Sequence, residues 1–115
     1  IERKKECINT GGEKVFPVEV EEILLENPKV QEVCVIGVPD EDWGTTVRAV
    51  VIPKKGLKPS IDITAEEILD FCKDKMAGFK KPRSVVFTDS FPISPVGKIL
   101  RAQIREKYGQ PEPLP

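Results

Sequence analysis

The run Val30-Gln31-Glu32-Val33-Cys34-Val35-Ile36-Gly37-Val38 decides the fold. It is rich in β-branched residues and reads as a mostly buried strand, closed by the turn-forming Pro39-Asp40-Glu41-Asp42. Val47 to Pro53 predicts a second core strand and Ser84 to Thr88 a third. Upstream, Pro17 is well placed to open a helix in which Val20, Ile23 and Leu24 form one apolar stripe while Glu19, Glu22 and Glu26 face water. Asn27-Pro28 ends that helix. Downstream of an exposed connection at 54–60, Thr64-Ala65-Glu66-Glu67 matches a capping box, and Ala65, Ile68, Leu69, Cys72 and Met76 keep helical spacing up to a closing Gly78. A last helix is predicted over Ile99 to Tyr108, with Leu100 and Ile104 on its buried side. Residues 1–12 read as a lead-in strand or linker and a tight turn at Asn9-Thr10-Gly11-Gly12, and the proline-rich residues 110–115 as a frayed tail. The expected fold is a small α+β domain: a short N-terminal hairpin and a three-stranded sheet packed with about three helices.

Composition narrows the function. Eighteen basic and nineteen acidic residues leave a formal net charge of −1, so no global field draws nucleic acid or an anionic membrane to the chain. No apolar run approaches the roughly 20 residues of a membrane span, and Ile1-Glu2-Arg3-Lys4-Lys5-Glu6 does not resemble a secretory signal; a cytoplasmic location is expected. Cys7, Cys34 and Cys72 are odd in number and widely spaced, which suits reduced packing residues better than a disulfide frame or a zinc site. Histidine is absent, which removes the usual general base and metal ligand and leaves Lys, Arg and carboxylates for chemistry. No metal site is expected within the domain.

The chemical signal lies in Phe91-Pro92-Ile93-Ser94-Pro95-Val96-Gly97-Lys98, a loop stiffened by two prolines that ends in a lysine as the last helical pattern begins. A cation in a helix's first turn is mildly disfavoured unless an anion meets it, which a phosphate or carboxylate would do. An ordinary solvated lysine fits the local sequence as well. Gly11-Gly12 is compatible with a plain hairpin turn. Phe79-Lys80-Lys81-Pro82-Arg83 is a basic cluster beside an aromatic, compatible with solvated surface and with a nucleotide's phosphates and base. Phosphate-loop, dinucleotide-fold, C-x-x-C and nucleophile-elbow signatures are missing.

Taken in order, Arg3-Lys4-Lys5-Glu6, Gly11 to Glu21, Val38-Pro39-Asp40 with Trp43-Gly44, Phe79-Lys80-Lys81-Pro82 and Pro92 to Ile99 resemble the C-terminal domain of adenylate-forming enzymes. That superfamily holds acyl- and aryl-CoA synthetases, nonribosomal peptide adenylation domains and luciferases. The resemblance spans nearly the whole chain and is most like a fatty-acid or related acyl-CoA ligase. It implies a mobile domain of an ATP-dependent acid:CoA ligase, which converts carboxylate, ATP and CoA to acyl-CoA, AMP and pyrophosphate.

The resemblance also implies roles by position. Lys98 corresponds to the lysine that reaches the carboxylate and the ATP α-phosphate during adenylation, an electrostatic task suited to an ammonium. Arg3 corresponds to a nucleotide-binding arginine that contacts the ribose, and Lys5 to the hinge about which the domain swings. Gly11 and Gly12 correspond to a hairpin brought to the pantetheine tunnel, where a bare backbone can lie close to a thin ligand. Trp43 corresponds to an aromatic lining that path, although packing at a strand edge would also account for it. Phe79, Lys81 and Arg83 correspond to positions that receive the adenine and phosphates of CoA.

Most contacts to ATP and Mg2+ are implied to lie in a large N-terminal domain, this chain's partner, so the chain is expected to be a fragment, inactive in isolation. The spacing from Pro92 to Lys98 resembles sites where protein acetyltransferases silence acyl-CoA synthetases, and acetylation would delete the Lys98 charge. Two other readings remain open: the equivalent part of a carrier-protein-loading adenylation enzyme, and a non-catalytic stand-alone binding module.

Overall fold

The computed structural model describes residues 7–76 and 78–111. A hairpin of β1 (Ile8–Thr10) and β2 (Glu13–Val15) turns at Gly11 and Gly12, whose φ angles of 57° and 89° are left-handed and suit glycine. Helix α1 (Pro17–Leu24) follows with proline in its first turn. Strand β3 (Val30–Asp40) then pairs antiparallel with β4 (Gly44–Pro53), and β5 (Ser84–Phe87) pairs parallel with β4, giving the sheet order β3-β4-β5. Between β4 and β5 lie α2 (Ala65–Phe71) and a single 3₁₀ turn (Gly78–Lys80); α3 (Arg101–Tyr108) closes the fold. This is the expected α+β arrangement of hairpin, three-stranded sheet and three helices.

The apolar runs of β3 and β4 are continuous because both faces of the sheet are covered. On one face Val33, Val35, Val47, Ala49 and Val51 pack with Val20 and Leu24 of α1 and Ile68 of α2. On the other, Cys34, Ile36, Val38 and Val50 pack with Phe91 and with Ile104 of α3. Burying each of these Leu or Ile side chains contributes on the order of 1.5–3 kcal/mol.

Several boundaries differ from the sequence reading. Strand β3 continues through Pro39 and Asp40, because at a sheet edge proline need not donate to the ladder. The turn proper is Glu41 to Trp43, closed by the Asp40 carboxylate, which accepts from the backbone N–H groups of Asp42 and Trp43 at 3.0 and 2.9 Å. Helix α2 stops at Phe71 instead of running to Met76: Lys73 and Lys75 donate to the carbonyls of Asp70 and Cys72, bonds three residues apart that tighten the last turn. Gly78 opens the 3₁₀ turn without a left-handed φ, so it is no helix cap.

Helix α3 begins at Arg101, two residues after Ile99, which instead bridges to Ile93. Lys98 therefore lies outside the first turn, and the cation placed there is Arg101. Cys7 is exposed, contrary to a packing role, whereas Cys34 and Cys72 are buried free thiols. Burial pushes the Cys72 thiol up, partly offset by Lys81 and Lys75.

The capping box at the start of α2 is complete: the Glu67 N–H donates to Thr64 Oγ1 at 3.2 Å and the Thr64 N–H to Glu67 Oε2 at 2.9 Å. The Lys29 ammonium, 2.9 Å from Glu67 Oε1, together with the Thr64 backbone holds the Glu67 carboxyl below the usual carboxylate range. A lowered value in the folded state means stability that is present above the ordinary glutamate range and lost as pH falls through the lowered one. Thr64→Ala is expected to lose about 1 kcal/mol of stability in urea unfolding with an unchanged m-value. Glu67→Gln is expected to flatten the acid limb of stability against pH; a limb as steep as that of the unaltered chain would contradict the assignment.

Candidate functional site

Lys98 sits on a loop that closes on itself. The Ser94 N–H donates to the Lys98 carbonyl at 2.8 Å, the Lys98 N–H to Ser94 Oγ at 3.2 Å, and the Leu100 N–H to the Pro92 carbonyl at 3.0 Å. The Gly97 N–H donates to the Ser94 carbonyl at 2.9 Å, closing a turn over Pro95 and Val96, and its left-handed φ of 87° then redirects the chain into Lys98. Phe91 roots the N-terminal foot of the loop in the core, while Val96, Gly97 and Lys98 at the tip are exposed. The loop thus offers an ammonium to solvent from a backbone of fixed shape.

The C-terminal foot of the loop is α3, held at both ends. At its N-terminus Arg101 Nη1 donates to Glu21 Oε2 at 2.5 Å and to the Val35 carbonyl at 2.9 Å, and the same Glu21 oxygen accepts the Val35 N–H at 2.8 Å. At its C-terminus the fully buried Arg48 donates to the carbonyls of Tyr108 and Gln110, both at 2.7 Å, and through Nε to Ser84 Oγ at 2.8 Å. Tyr108 in turn donates its hydroxyl to Thr88 Oγ1 at 2.7 Å, tying α3 to the chain that leaves β5 for the lysine loop.

A second group forms where the hairpin meets the β3–β4 turn. The Gly11 N–H donates to the Trp43 carbonyl at 3.0 Å, and the Trp43 ring lies so close to Gly11 that a Cβ there would overlap ring carbons. The Arg83 guanidinium stacks over the Trp43 ring, 4.8 Å from its centroid, and the Arg83 N–H donates to the Val47 carbonyl at 2.7 Å. Trp43 remains 42% exposed, far from the burial of a packing residue. Thr10, Trp43, Val47, Gly78, Lys81 and Arg83 line a small cavity of about 130 Å³. Lys80, by contrast, points to Glu19, 3.3 Å away.

Of the residues singled out in the sequence, Gly11, Trp43, Lys81 and Arg83 therefore converge, with Gly12 beside them in the hairpin turn. Lys98 stands apart on its own loop. Arg3 and Lys5 lie outside the described residues, as does the side chain of Phe79. Two wider grooves, of about 520 and 670 Å³, include neither Lys98 nor the Trp43 group in their linings. Among the described residues no group of three or more Cys, Asp or Glu could hold a metal ion.

Sequence reading missed Arg48, Glu21 and Arg101. A charge inside the apolar run of β4 was the available signal for the first. The other two meet across 80 positions, a separation no local pattern conveys.

Residues 19–98 match the family model described as AMP-binding enzyme C-terminal domain. A long-chain-fatty-acid–CoA ligase, FadD13, from Mycobacterium tuberculosis is 37% identical over 97% of this chain and 21% of its own length. A feruloyl-CoA synthase from Amycolatopsis sp. is 41% identical over 95% of this chain and 21% of its own. The solved structure of apo MatB from Rhodopseudomonas palustris superposes with a TM-score of 0.84 at 37% identity, covering 91% of this chain and 20% of that one. The chain thus spans about a fifth of the length of the curated relatives it matches. With the family model covering most of the domain and close likeness in both sequence and fold, the chain belongs to the AMP-binding enzyme C-terminal domain family.

Proposed function

We propose that this chain is the mobile C-terminal domain of an AMP-forming acid:CoA ligase, and that it serves the two half-reactions with two different surfaces. Family membership and relatives named as CoA ligases support the class. The observation that carries the reading is the convergence of Trp43, Lys81 and Arg83 on one cavity, with Gly11 packed against the Trp43 ring and Lys98 on a separate shaped loop.

In adenylation the carboxylate attacks the α-phosphorus of ATP and pyrophosphate leaves. Negative charge accumulates on the reacting oxygens, and the Lys98 ammonium neutralises it while orienting the carboxylate. Arg3 contacts the nucleotide, Mg2+ accompanies ATP, and the large N-terminal domain supplies the remaining contacts. In thioester formation the domain turns about Lys5. The bare backbone at Gly11 and Gly12 admits pantetheine, Trp43 supplies an aromatic wall, and Phe79, Lys81 and Arg83 meet the adenine and phosphates of CoA. Acetylation of Lys98 by a protein acetyltransferase would remove the charge that the first half-reaction needs. The enzyme works in the cytoplasm.

The test uses the full-length parent enzyme and carboxylate-dependent ATP–pyrophosphate exchange over fatty, aryl and amino acids. Lys98→Ala is expected to lower exchange by on the order of 10²–10³, the scale of losing one transition-state charge partner; a variant that matches the active parent would remove Lys98 from the site. In a separate assay of thioester formation, Arg83→Ala is expected to raise KM for CoA roughly tenfold, the equivalent of one charge-assisted contact. An unchanged KM for CoA in both Arg83→Ala and Trp43→Ala would dissolve the second surface.

A further inference from the structure

We propose that Glu21 and Arg101 are positioning residues for Lys98, a clasp that locks the start of α3 against the edge of the sheet and so fixes where the lysine tip can reach. The inference rests on the assignment of Lys98 to adenylation.

Strand β3 is an edge strand, and Val35 turns its N–H and C=O toward the edge that β4 does not cover. Both groups are taken by one ion pair: Glu21 Oε2 accepts the N–H at 2.8 Å and Arg101 Nη1 donates to the C=O at 2.9 Å. The pair therefore acts as a one-residue strand addition made of side chains, pinning α1, β3 and α3 at a single point. With side chains only 15% and 21% exposed, it is screened less than a surface bridge. Arg101 also touches the buried Cys34 Sγ at 3.5 Å, so its guanidinium is enclosed on the sheet side as well.

Only Ile99 and Leu100 separate Arg101 from Lys98. Between them the backbone is already committed, through the Ile93–Ile99 bridge and the Leu100 N–H bond to Pro92. A displacement at Arg101 thus has little slack in which to dissipate before Lys98, and a misplacement of about 1 Å is enough to cost on the order of 10²-fold in an oriented reaction. The Trp43 group is fixed by other means, through Gly11, Val47 and Arg83. Loosening the clasp should accordingly harm adenylation and spare the second surface.

The experiment again uses the full-length parent and measures the two half-reactions separately: pyrophosphate exchange for adenylation, and CoA consumption from supplied acyl-adenylate for thioester formation. Glu21→Gln keeps the shape and an acceptor for the Val35 N–H while removing the charge; Arg101→Met keeps the apolar stem. Each is expected to lower kcat of exchange about 10- to 100-fold, up to the scale of a misplacement of about 1 Å in an oriented reaction, with KM for ATP within about threefold and a thioester half-reaction at least tenfold less affected. Arg101→Lys is expected to recover part of the loss. In a Lys98→Ala background the Arg101→Met change is expected to add less than about twofold, since both act through one ammonium.

Equal loss in both half-reactions, or full additivity with Lys98→Ala, would mean a general structural role and overturn the inference. If Lys98→Ala abolishes exchange while Glu21→Gln and Arg101→Met leave it intact, the clasp idea alone fails. If Lys98→Ala itself leaves exchange intact, the adenylation assignment fails and the clasp proposal with it.

Discussion

Arg48 puts a guanidinium inside a strand otherwise made of valine and alanine, at full burial, and the C-terminal half of the domain is organised around satisfying it. An isolated charge there would be strongly unfavourable; three short hydrogen bonds, to Ser84 Oγ and to the carbonyls of Tyr108 and Gln110, make the site tenable. Those acceptors come from β5 and from the exit of α3, so these three bonds form together when both elements are docked. The carbonyl end of a helix is also where its dipole favours a cation. Helix α3 has eight residues and, in Ile104, one buried side chain, too little apolar contact to hold it unaided. Its placement is a matter of polar bonds at its two ends.

That dependence explains how a small domain can present two rigid surfaces. The lysine loop belongs to the α3 side, where Phe91, Tyr108 and Arg101 anchor it. The Trp43 group belongs to the hairpin side, where the Gly11 N–H and the Arg83 stack hold it. Strand β4 runs through both regions, contributing Val47 to the cavity and Arg48 to the α3 anchor. On the proposed function neither surface has to rearrange internally between half-reactions; rotation of the whole body would exchange one for the other.

The elements themselves were legible in the sequence because each had a strong local cause. Pro17 opened α1, the Thr64–Glu67 box opened α2, and the β-branched runs at 30–38 and 47–53 had no competing period. Boundaries failed where the cause was not local: Pro39 is tolerated inside a strand only because β3 lies at the sheet edge, and α3 starts late because Ile99 is engaged by Ile93. The grouping of Gly11 with Trp43, Lys81 and Arg83 was legible through family likeness, since those residues are spread over 73 positions of chain. Arg101 and Glu21 were not, because an ion pair that bridges helices through a strand's backbone leaves no mark on the spacing of either residue.

On the proposed function, the chemistry of these surfaces also bears on how a full-length ligase would select its acid. Lys98 would meet the carboxylate and the phosphate, the parts that every acid substrate and ATP have in common. The cavity at Trp43 would meet CoA, again common to every substrate. The relatives bear names as different as a long-chain-fatty-acid ligase and a feruloyl-CoA synthase, yet share 37% and 41% identity with this chain. A greasy chain and a phenolic ring ask for pockets of different shape and polarity, and selection between them requires contact with the part of the acid that differs. Neither proposed surface would make such contact. Selectivity on this view belongs to the N-terminal domain, and exchanging this domain between two such ligases should move catalytic rate while leaving the choice of acid where it was.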